Sequence, residues 1–317
     1  MGSAPRNGRP AHIRLDPPER LTRTIGAWAG QAGRDWLARL PAVVADCLER
    51  WELTPERVFG ADGTDGTVSM IVLVTTVDGD PAVLKVGMVN RETAQEHAAL
   101  ARWNGHGAVR LLRADPERGA MVLERLRPDV SARSLAEPRA LLTAAEVLRR
   151  LWVPPGSDHP FTTVAEYTAE LAPLLRERGE QPWAADARPL IDKALAVREA
   201  LLADGPEPVL LHGDYHQGNV LAGGREPWLA IDPKPLVGEP AYDAAWLARD
   251  RLDTLLARPS PRDAARRRLS LLSSALVVDP GRLRGWSLFR AVEAGVWSLA
   301  VGDQEVGEQL LEFADWL

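Results

Sequence analysis

Residues 212–219 read His-Gly-Asp-Tyr-His-Gln-Gly-Asn, and Ile-Asp-Pro follows at 231–233. An acid, an amide and a second acid at this spacing suit a site for phosphoryl transfer. In such a site Asp214 accepts the proton of an attacking hydroxyl, while Asn219 and Asp232 hold Mg²⁺ against the phosphates of a nucleotide. The motif specifies only three residue types, so the rest of the chain decides how much weight it carries.

The two carboxylates of the motif each have a simpler explanation when taken alone. Asp214 follows a glycine and is a common turn former, and Asp232 ends an apolar run before a proline. Two neighbouring carboxylates repel each other unless a cation lies between them, which is the role expected of Mg²⁺. Their separation of eighteen positions leaves room for a loop and a short hairpin that brings both side chains to one end of the strands.

The composition is that of a globular protein. The chain has 317 residues, of which 45% are hydrophobic and 26% charged, enough for one large domain or two smaller ones. The net charge is −6, so the chain lacks the excess of basic residues that is typical of nucleic-acid binders. This negative charge is compatible with a cationic ligand. The single cysteine, Cys47, excludes an internal disulfide and a cysteine-based metal cluster.

The N-terminal stretch has no secretory pattern. The first twenty residues contain four prolines and several arginines but no apolar core. The longest strongly apolar stretch, residues 70–74, is far too short to cross a bilayer. We therefore expect a cytoplasmic protein, a monomer without membrane or nucleic-acid partners, whose residues 1–24 form a flexible arm.

Residues 25–126 predict a small β-rich domain with one inserted helix. Apolar side chains recur at helical spacing over 35–51, where Pro41 predicts a kink or two short helices. A turn at Asp78-Gly79-Asp80 separates two apolar runs and predicts a β-hairpin. The remaining elements are a helix and two strands, expected at 91–103, 108–113 and 121–126.

Residues 127–317 predict a second, mostly helical domain. A linker is expected at 127–138, after which helical patterns dominate. Short strands are expected around the motif, at 209–211 and 228–231. The predicted fold class is therefore α+β and bilobal, with a small β-rich lobe, a larger helical lobe and the motif facing a cleft between them.

Lys85 lies inside an apolar strand pattern, where a buried ammonium needs a partner or a ligand. It is either an edge-strand lysine that reaches solvent or a residue that contacts the phosphates of ATP. In the second case a carboxylate on the following helix orients it. Glu92 and Glu96 lie four positions apart on one helical face, and Glu96 is favoured because it lies nearer the middle of the predicted helix.

The glycine-rich stretch 60–66 precedes Thr67 and Ser69 and predicts a flap whose backbone and hydroxyl groups approach phosphates. It departs from the Gly-x-Gly-x-x-Gly loop of protein kinases. The chain has no Gly-x-x-x-x-Gly-Lys-Ser/Thr loop, no Gly-x-Ser-x-Gly and no His-Glu-x-x-His. P-loop enzymes and the commonest hydrolases are therefore disfavoured.

Gly-Glu-Pro-Ala-Tyr-Asp at 238–243 extends the motif of 212–233, and together these stretches resemble the aminoglycoside phosphotransferases and their relatives with a protein-kinase-like fold. The resemblance spans residues 34–300. It narrows to the streptomycin 6-kinase and hydroxyurea kinase branch through five further stretches, at 36–51, 83–85, 107–112, 123–126 and 226–233.

The resemblance implies a role for each matching residue. Asp214 is the catalytic base, and Asn219 and Asp232 bind Mg²⁺. Lys85 contacts the phosphates of ATP with Glu96 as its partner. Glu124, Arg125 and Leu126 form a hinge whose backbone hydrogen-bonds adenine. Asp243 is a structural acid that supports the loops.

The expected function is ATP- and Mg²⁺-dependent phosphorylation of a hydroxyl on a small cationic molecule, first of all a streptomycin-type aminoglycoside, as in antibiotic resistance. Gly213 replaces the arginine that precedes the catalytic aspartate of many protein kinases, which fits a small-molecule kinase without an activation-loop switch. Acidic residues after the motif either line a site for guanidinium groups or lie on solvated helix faces. They are Glu239, Asp250, Asp253 and Glu293.

Two alternatives remain open at the level of the sequence. One is a kinase for another small acceptor, such as hydroxyurea, a peptide antibiotic or a sugar metabolite. The other is a nucleotide-binding regulator that has lost catalysis. The regulator is disfavoured because a degenerate kinase usually lacks at least one of four residues that are all present here: Lys85, Asp214, Asn219 and Asp232.

Overall fold

The computed structural model describes residues 13–60 and 68–317. The chain divides into two compact units. The first comprises Met1–His97 and Leu111–Arg125, and the second comprises Ala98–Arg110 and Leu126–Leu317. The boundary at Arg125 and Leu126 lies next to the end of the predicted N-terminal lobe at residue 126.

The first unit begins with two helices, α1 (Glu19–Trp28) and α2 (Gly30–Arg50). The predicted arm therefore extends too far along the chain, because Leu21 and Ile25 of α1 are fully buried in the hydrophobic core. The burial of these two large apolar side chains offsets the conformational entropy that is lost when the residues of α1 become ordered. Helix α2 runs through Pro41 as a single element, so two separate helices do not form there.

An antiparallel sheet completes the first unit. Its strands stand in the order β1-β2-β3-β5-β4, and helix α3 follows β3 in the chain. The core lies between this sheet and α1 and α2, where alternate strand residues meet the apolar faces of the helices. The bounds are β1 (Thr54–Val58), β2 (Ser69–Thr75), β3 (Pro81–Gly87), α3 (Glu96–Trp103), β4 (Leu111–Asp115) and β5 (Ala120–Glu124).

The β2–β3 hairpin predicted from the turn at 78–80 is present. Val74 pairs with Ala82, and the amide of Thr76 donates to the carbonyl of Asp80 at 2.9 Å. Gly79 has a φ of +88°, a left-handed conformation that glycine adopts without steric cost. The register of this hairpin places Lys85 opposite Ile71.

Two predicted boundaries are displaced. Helix α3 begins at Glu96 rather than at residue 91, because residues 91–95 form turns. The strand predicted at 108–113 is β4, which begins at Leu111. Ahead of it, Ala108 forms an isolated bridge with Ala230 and so belongs to the second unit.

The second unit is mostly helical and contains two small sheets. One sheet has the order β6-β8-β9, and the other pairs β10 with β7. Strand β6 occupies part of the predicted linker, since Arg127 pairs with Ala222 of β8. The strand bounds are β6 (Arg127–Ser131), β7 (Val209–Leu211), β8 (Val220–Ala222), β9 (Trp228–Ala230) and β10 (Leu236–Gly238).

Helix α10 is the centre of the helical part and contacts α5, α6, α7, α9 and α11. Within the described part of the chain, none of the helices combines the length and apolarity needed to cross a bilayer. The helix bounds are α4 (Glu137–Leu151), α5 (Val164–Gly179), α6 (Arg188–Ala203), α7 (Pro240–Arg249), α8 (Leu252–Leu256), α9 (Pro261–Leu276), α10 (Pro280–Ala300) and α11 (Gln304–Asp315).

Candidate active site

Lys85 and Glu96 form a buried ion pair in the first unit. Strand alternation turns Leu84 and Val86 into the core, and Lys85 projects from the opposite face of β3. Its Nζ donates to the two carboxylate oxygens of Glu96 at 2.7 and 2.8 Å. Because both residues are less than 10% exposed, each charge depends on the other for compensation. The carboxylate partner is the one that the sequence favours.

A pocket surrounds this ion pair within the first unit. Lys85 and Glu96 line it together with Ser69, Gly87 and Met121. A Cβ atom on Gly87 would lie 2.8 Å from the Ser69 hydroxyl, so the absence of a side chain there keeps this wall open. Thr67 and residues 61–66 of the predicted flap lie outside the described residues.

Arg125, in the predicted hinge, uses its side chain to hold the sheet together. The guanidinium donates to the carbonyls of Ala82 and Val74 and forms an ion pair with Glu56. The Arg125 hydrogen bonds lower the pKa of Glu56 to about 2. Glu124 ends β5, and Leu126 begins the second unit.

Asp243 organises the motif in the second unit. It lies in the first turn of α7, is fully buried, and accepts hydrogen bonds from two consecutive amides. The amide of His212 lies 2.7 Å from one carboxylate oxygen, and that of Gly213 lies 2.8 Å from the other. Burial raises the pKa of Asp243 although His212 and both amides favour the charged form. Support of the loop by this acid, implied by the resemblance, is present in the structure.

Gly213 approaches the backbone of Lys234 too closely for any side chain. Its φ is +80°, and a Cβ atom would lie 1.9 Å from the carbonyl oxygen of Lys234. The amide of Lys234 in turn donates to the carbonyl of His212 at 2.9 Å. An arginine at this position is therefore excluded by sterics as well as being unnecessary.

Asp214 lies beside a cation that the sequence analysis did not identify. The Nζ of Lys234 is 3.2 Å from its Oδ2, and the Asp214 side chain is 21% exposed. Burial alone raises the pKa of Asp214, but Lys234, His216 and His212 together outweigh burial and lower it. The carboxylate is therefore ionised at neutral pH and accessible, as a hydrogen-bond acceptor for a hydroxyl must be.

Backbone contacts tie the two ends of the motif together. The Nδ2 of Asn219 donates to the carbonyl of Asp214 at 3.0 Å, and the amide of Ile231 donates to the carbonyl of Asn219 at 2.9 Å. Asp232 therefore follows directly after a residue that is bonded to Asn219. Its φ of +57° is strained for a residue with a side chain, and such strain is concentrated at functional sites.

Asn219 and Asp232 carry side-chain oxygens of the kind that bind magnesium. The amide nitrogen of Asn219 is used by Asp214, which leaves its carbonyl oxygen as an available ligand. Mg²⁺ is usually held by one or two protein oxygens and completes its octahedron with phosphate and water oxygens. In the described part of the chain no group of three or more histidine, cysteine or acidic side chains is placed to hold a metal by itself.

The two histidines of the motif have structural partners. The Nε2 of His212 lies 2.9 Å from the carbonyl of Ile231, which places a proton on that nitrogen, and the ring is fully buried against Trp103 and Tyr215. His216 is half-buried. Its Nδ1 accepts a hydrogen bond from the amide of Gly218 at 3.1 Å.

Two of the four acidic residues proposed to receive guanidinium groups are already used inside the protein. Glu239 pairs with Arg282 and Trp286, and Asp250 accepts a hydrogen bond from the amide of Gln217 at 2.7 Å. Both are less than 10% exposed. The acids that retain accessibility are Asp253, which is exposed, and Glu293, which is half-buried.

Lys234 and Arg290 are the neighbours of the motif that sequence reasoning missed. Lys234 had a signal, since it stands two residues after Asp232 in the same loop. Arg290 donates from both terminal nitrogens to the carbonyl of Gly213 at 3.3 Å, yet it lies in α10, 77 positions along the chain. No pattern of sequence spacing connects Arg290 with Gly213.

Comparison with known proteins gives one family. A model of the aminoglycoside/hydroxyurea antibiotic resistance kinases matches residues 50–302. A streptomycin 6-kinase of Streptomyces glaucescens is 38% identical over 91% of this chain and 92% of its own. A hydroxyurea phosphotransferase of Kitasatospora aureofaciens is 35% identical over 96% of this chain and 86% of its own.

The fold is also that of solved phosphotransferases. An aminoglycoside phosphotransferase in ternary complex with ADP and hygromycin B superposes with a TM-score of 0.58, covering 86% of this chain and 96% of its own at 15% identity. At that identity the likeness shows the fold alone. The predicted class, α+β and protein-kinase-like, is thereby confirmed.

Proposed function

The chain belongs to the aminoglycoside/hydroxyurea antibiotic resistance kinase family and is a phosphotransferase that acts on a hydroxyl group, and from this premise we propose that it transfers the γ-phosphoryl group of ATP to a streptomycin-type aminoglycoside. The observation that carries the proposal is the geometry around Asp214. This carboxylate is ionised and accessible, and it is held in a loop whose preceding amides are fixed by Asp243.

In the proposed reaction the acceptor hydroxyl oxygen attacks the γ-phosphorus. The bond from that phosphorus to the oxygen shared with the β-phosphate breaks, and ADP leaves. Asp214 orients the hydroxyl and takes its proton. Because the pKa of Asp214 is lowered, it is a weak base, which suits a loose transition state in which the proton leaves late.

Two lysines supply positive charge in this proposal. Lys85, oriented by Glu96, contacts the α- and β-phosphates of ATP. Lys234 pairs with Asp214 before the acceptor binds and then stabilises negative charge at the transferring phosphoryl group. Each ammonium is held near a carboxylate before the reaction, Lys85 by Glu96 and Lys234 by Asp214.

Asn219 and Asp232 would hold Mg²⁺ through the amide carbonyl of one and the carboxylate of the other. When bound, the ion neutralises charge on the β- and γ-phosphates. The chain's own contribution is to keep the Asn219 side chain in place through its hydrogen bond to the carbonyl of Asp214, while the bond from the Ile231 amide to the carbonyl of Asn219 holds the backbone that leads into Asp232. Release of the Asn219 amide nitrogen from that bond would free the side chain to rotate away from the ion.

The nucleotide is proposed to bind along the first unit. The structurally similar aminoglycoside phosphotransferase holds ADP, which supports ATP as the donor. The pocket lined by Lys85, Glu96 and Ser69 is the proposed phosphate end. The backbone of Glu124–Leu126 is the proposed adenine contact, and the hydroxyl of Thr67 is a further proposed phosphate contact.

The relatives support streptomycin as the first acceptor to test and hydroxyurea as the second, since both names occur at similar identity. For a cationic acceptor, the exposed Asp253 is the acid that remains to meet its guanidinium groups, whereas the half-buried Glu293 already interacts with Arg249 and Arg290. We also propose that the reaction takes place in the cytoplasm, where ATP is available, and that the active form is a monomer.

The test is turnover by the purified protein with ATP, Mg²⁺ and either streptomycin or hydroxyurea, measured as ADP release and as the mass of the product. Asp214→Asn should lower kcat by at least about 100-fold, since general base catalysis contributes that much. The exposed Asp192→Asn is the matched control and should leave kcat unchanged. Wild-type turnover in Asp214→Asn, or silence with both acceptors, would refute the proposal.

A further inference from the structure

Arg249 is a buried cation to which no residue in the described part of the chain offers a hydrogen bond. It is the last residue of α7 and is 7% exposed. Its guanidinium carbon lies over the Trp246 ring, 3.8 Å from the centroid. Among residues 13–60 and 68–317, none forms a hydrogen bond or ion pair with it, and its Nε is fully buried without a partner. The residual exposure therefore belongs to the rest of the side chain, including the terminal nitrogens.

The stacked guanidinium lies beside the catalytic segment. The Trp246 ring also contacts the ring of His216, which stands two residues after Asp214, and the two ring centroids are 5.6 Å apart. The guanidinium of Arg290 lies 5.5 Å from the Trp246 centroid and donates to the carbonyl of Gly213. Trp246 is thus surrounded by groups that hold the motif, and Arg249 belongs to the same cluster.

The charges around Arg249 do not satisfy it. Burial and the like charge of Arg290 lower the pKa of Arg249 to about 10, so it remains protonated at neutral pH. Glu293 and Asp214 attract it, but neither carboxylate reaches it with a hydrogen bond. A mostly buried guanidinium whose Nε has no acceptor costs stability, and a ligand that accepts from its terminal nitrogens gains charge-assisted hydrogen bonds.

The terminal nitrogens of Arg249 are not among the fully buried atoms without a partner, so they are open to donate to oxygen atoms of a ligand bound near the 214–219 segment. A guanidinium presents a rigid fork of donors that suits paired oxygens. The phosphates of ATP already have proposed partners in Lys85, Lys234 and Mg²⁺. The other molecule that must lie beside Asp214 is the acceptor, whose hydroxyl this carboxylate orients.

We propose that Arg249 binds the acceptor and contributes to its selection, by donating hydrogen bonds from its terminal nitrogens to hydroxyl or carbonyl oxygens that neighbour the reacting hydroxyl. This inference rests on the proposed function. In this arrangement the oxygen-rich face of the acceptor contacts the C-terminal end of α7. Cationic groups of the acceptor then lie away from Arg249, because like charges repel and Arg290 already adds a second positive charge beside Trp246.

The test compares Arg249→Met, which keeps the stacked apolar stem, with Arg249→Lys and with the control Arg267→Met on the exposed face of α9. In Arg249→Met the KM for the acceptor should rise about 10- to 100-fold, while the KM for ATP stays unchanged. The acceptor KM of Arg249→Lys should lie between those of the wild type and Arg249→Met, since lysine keeps the charge but lacks the forked donors of the guanidinium. The unliganded Arg249→Met protein should unfold at the wild-type temperature or above it, because an uncompensated charge has been removed.

Three results would overturn the inference. A lower unfolding temperature for Arg249→Met would make Arg249 a structural residue. An unchanged acceptor KM, with or without a fall in kcat, would remove it from acceptor binding. A raised KM for ATP would assign it to the nucleotide. If the wild type turns over neither acceptor, the proposed function fails separately, and the unfolding temperature of the unliganded variant still decides whether Arg249 is structural.

Discussion

At position 213, backbone packing determines that the residue is glycine. The carbonyl of Lys234 lies where a Cβ atom would be, and the φ of +80° disfavours any side chain. The same close approach brings the Lys234 backbone against the motif and its ammonium to 3.2 Å from Asp214. The missing side chain at 213 thus permits the approach of Lys234 to the carboxylate of Asp214.

Gly213→Ala should therefore damage both stability and catalysis. We expect the free energy of unfolding to fall by at least about 2 kcal/mol, from left-handed strain and from the clash with Lys234. The measurement is denaturant unfolding together with kcat. Gly224→Ala is the matched control, because nothing lies within 4 Å of its added Cβ atom. Equal behaviour of the two variants would show that the loop relaxes freely around position 213.

At the scale of elements, β3 and α3 are joined by the pair Lys85–Glu96. Strand alternation places Lys85 on the face away from the core, and the late start of α3 makes Glu96 its first residue. The sequence argument favoured Glu96 for a central position in a longer helix. The partner was right, but the reason was not, since the first turn of α3 supplies the carboxylate.

Breaking this pair should be costly, and removing it entirely should not. Lys85→Met leaves the Glu96 carboxylate buried and should destabilise the protein by about 3 kcal/mol, whereas Lys85→Met with Glu96→Leu should recover most of the loss. Neither variant should bind ATP measurably. Denaturant unfolding and nucleotide titration give the two readouts.

The exposed pair Arg118–Asp46 in the same unit is the control for that experiment. Its side chains are 41% and 54% exposed, so Arg118→Met should cost less than about 1 kcal/mol. Full ATP binding by the double variant would contradict the role proposed for Lys85. Persistent instability of the double variant would show that packing, rather than charge, holds α3 on β3.

At the scale of the whole molecule, stability depends on ionisable groups that the fold buries. His212 is fully buried between Trp103 and Tyr215, and burial lowers its pKa below the ordinary value. The folded protein keeps the ring neutral, while the unfolded chain protonates it near pH 6.5. Its contribution is complete above that pH and is lost as the pH falls toward the lowered folded value.

We therefore expect the free energy of unfolding to decrease between pH 7.5 and 5.5, with part of the decrease due to His212. In His212→Asn the decrease over this range should be smaller than in the wild type. The exposed His106→Asn should keep the wild-type slope. Identical slopes in all three proteins would show that other groups account for the acid sensitivity.

The elements of the fold were largely predictable from patterns along the chain. The hairpin followed from Asp78-Gly79-Asp80, and the change to helical periodicity followed from residues beyond 138. Boundaries were less predictable. Strand β6 arose within a predicted linker because β8, more than 80 positions away, offers an edge to pair with. Helix α1 arose within a predicted arm because the core covers Leu21 and Ile25.

The sequence by itself determined the chemistry, because residue types and short spacings carry it: an acid, an amide and a second acid at 214, 219 and 232, and a lysine in an apolar strand. Only the tertiary structure decided which charges are available. Arg290 reaches the motif from α10, 77 positions beyond Gly213, and Glu239 and Asp250 are used by internal partners. Burial and hydrogen bonding between distant segments decide this, and no local pattern records either of them.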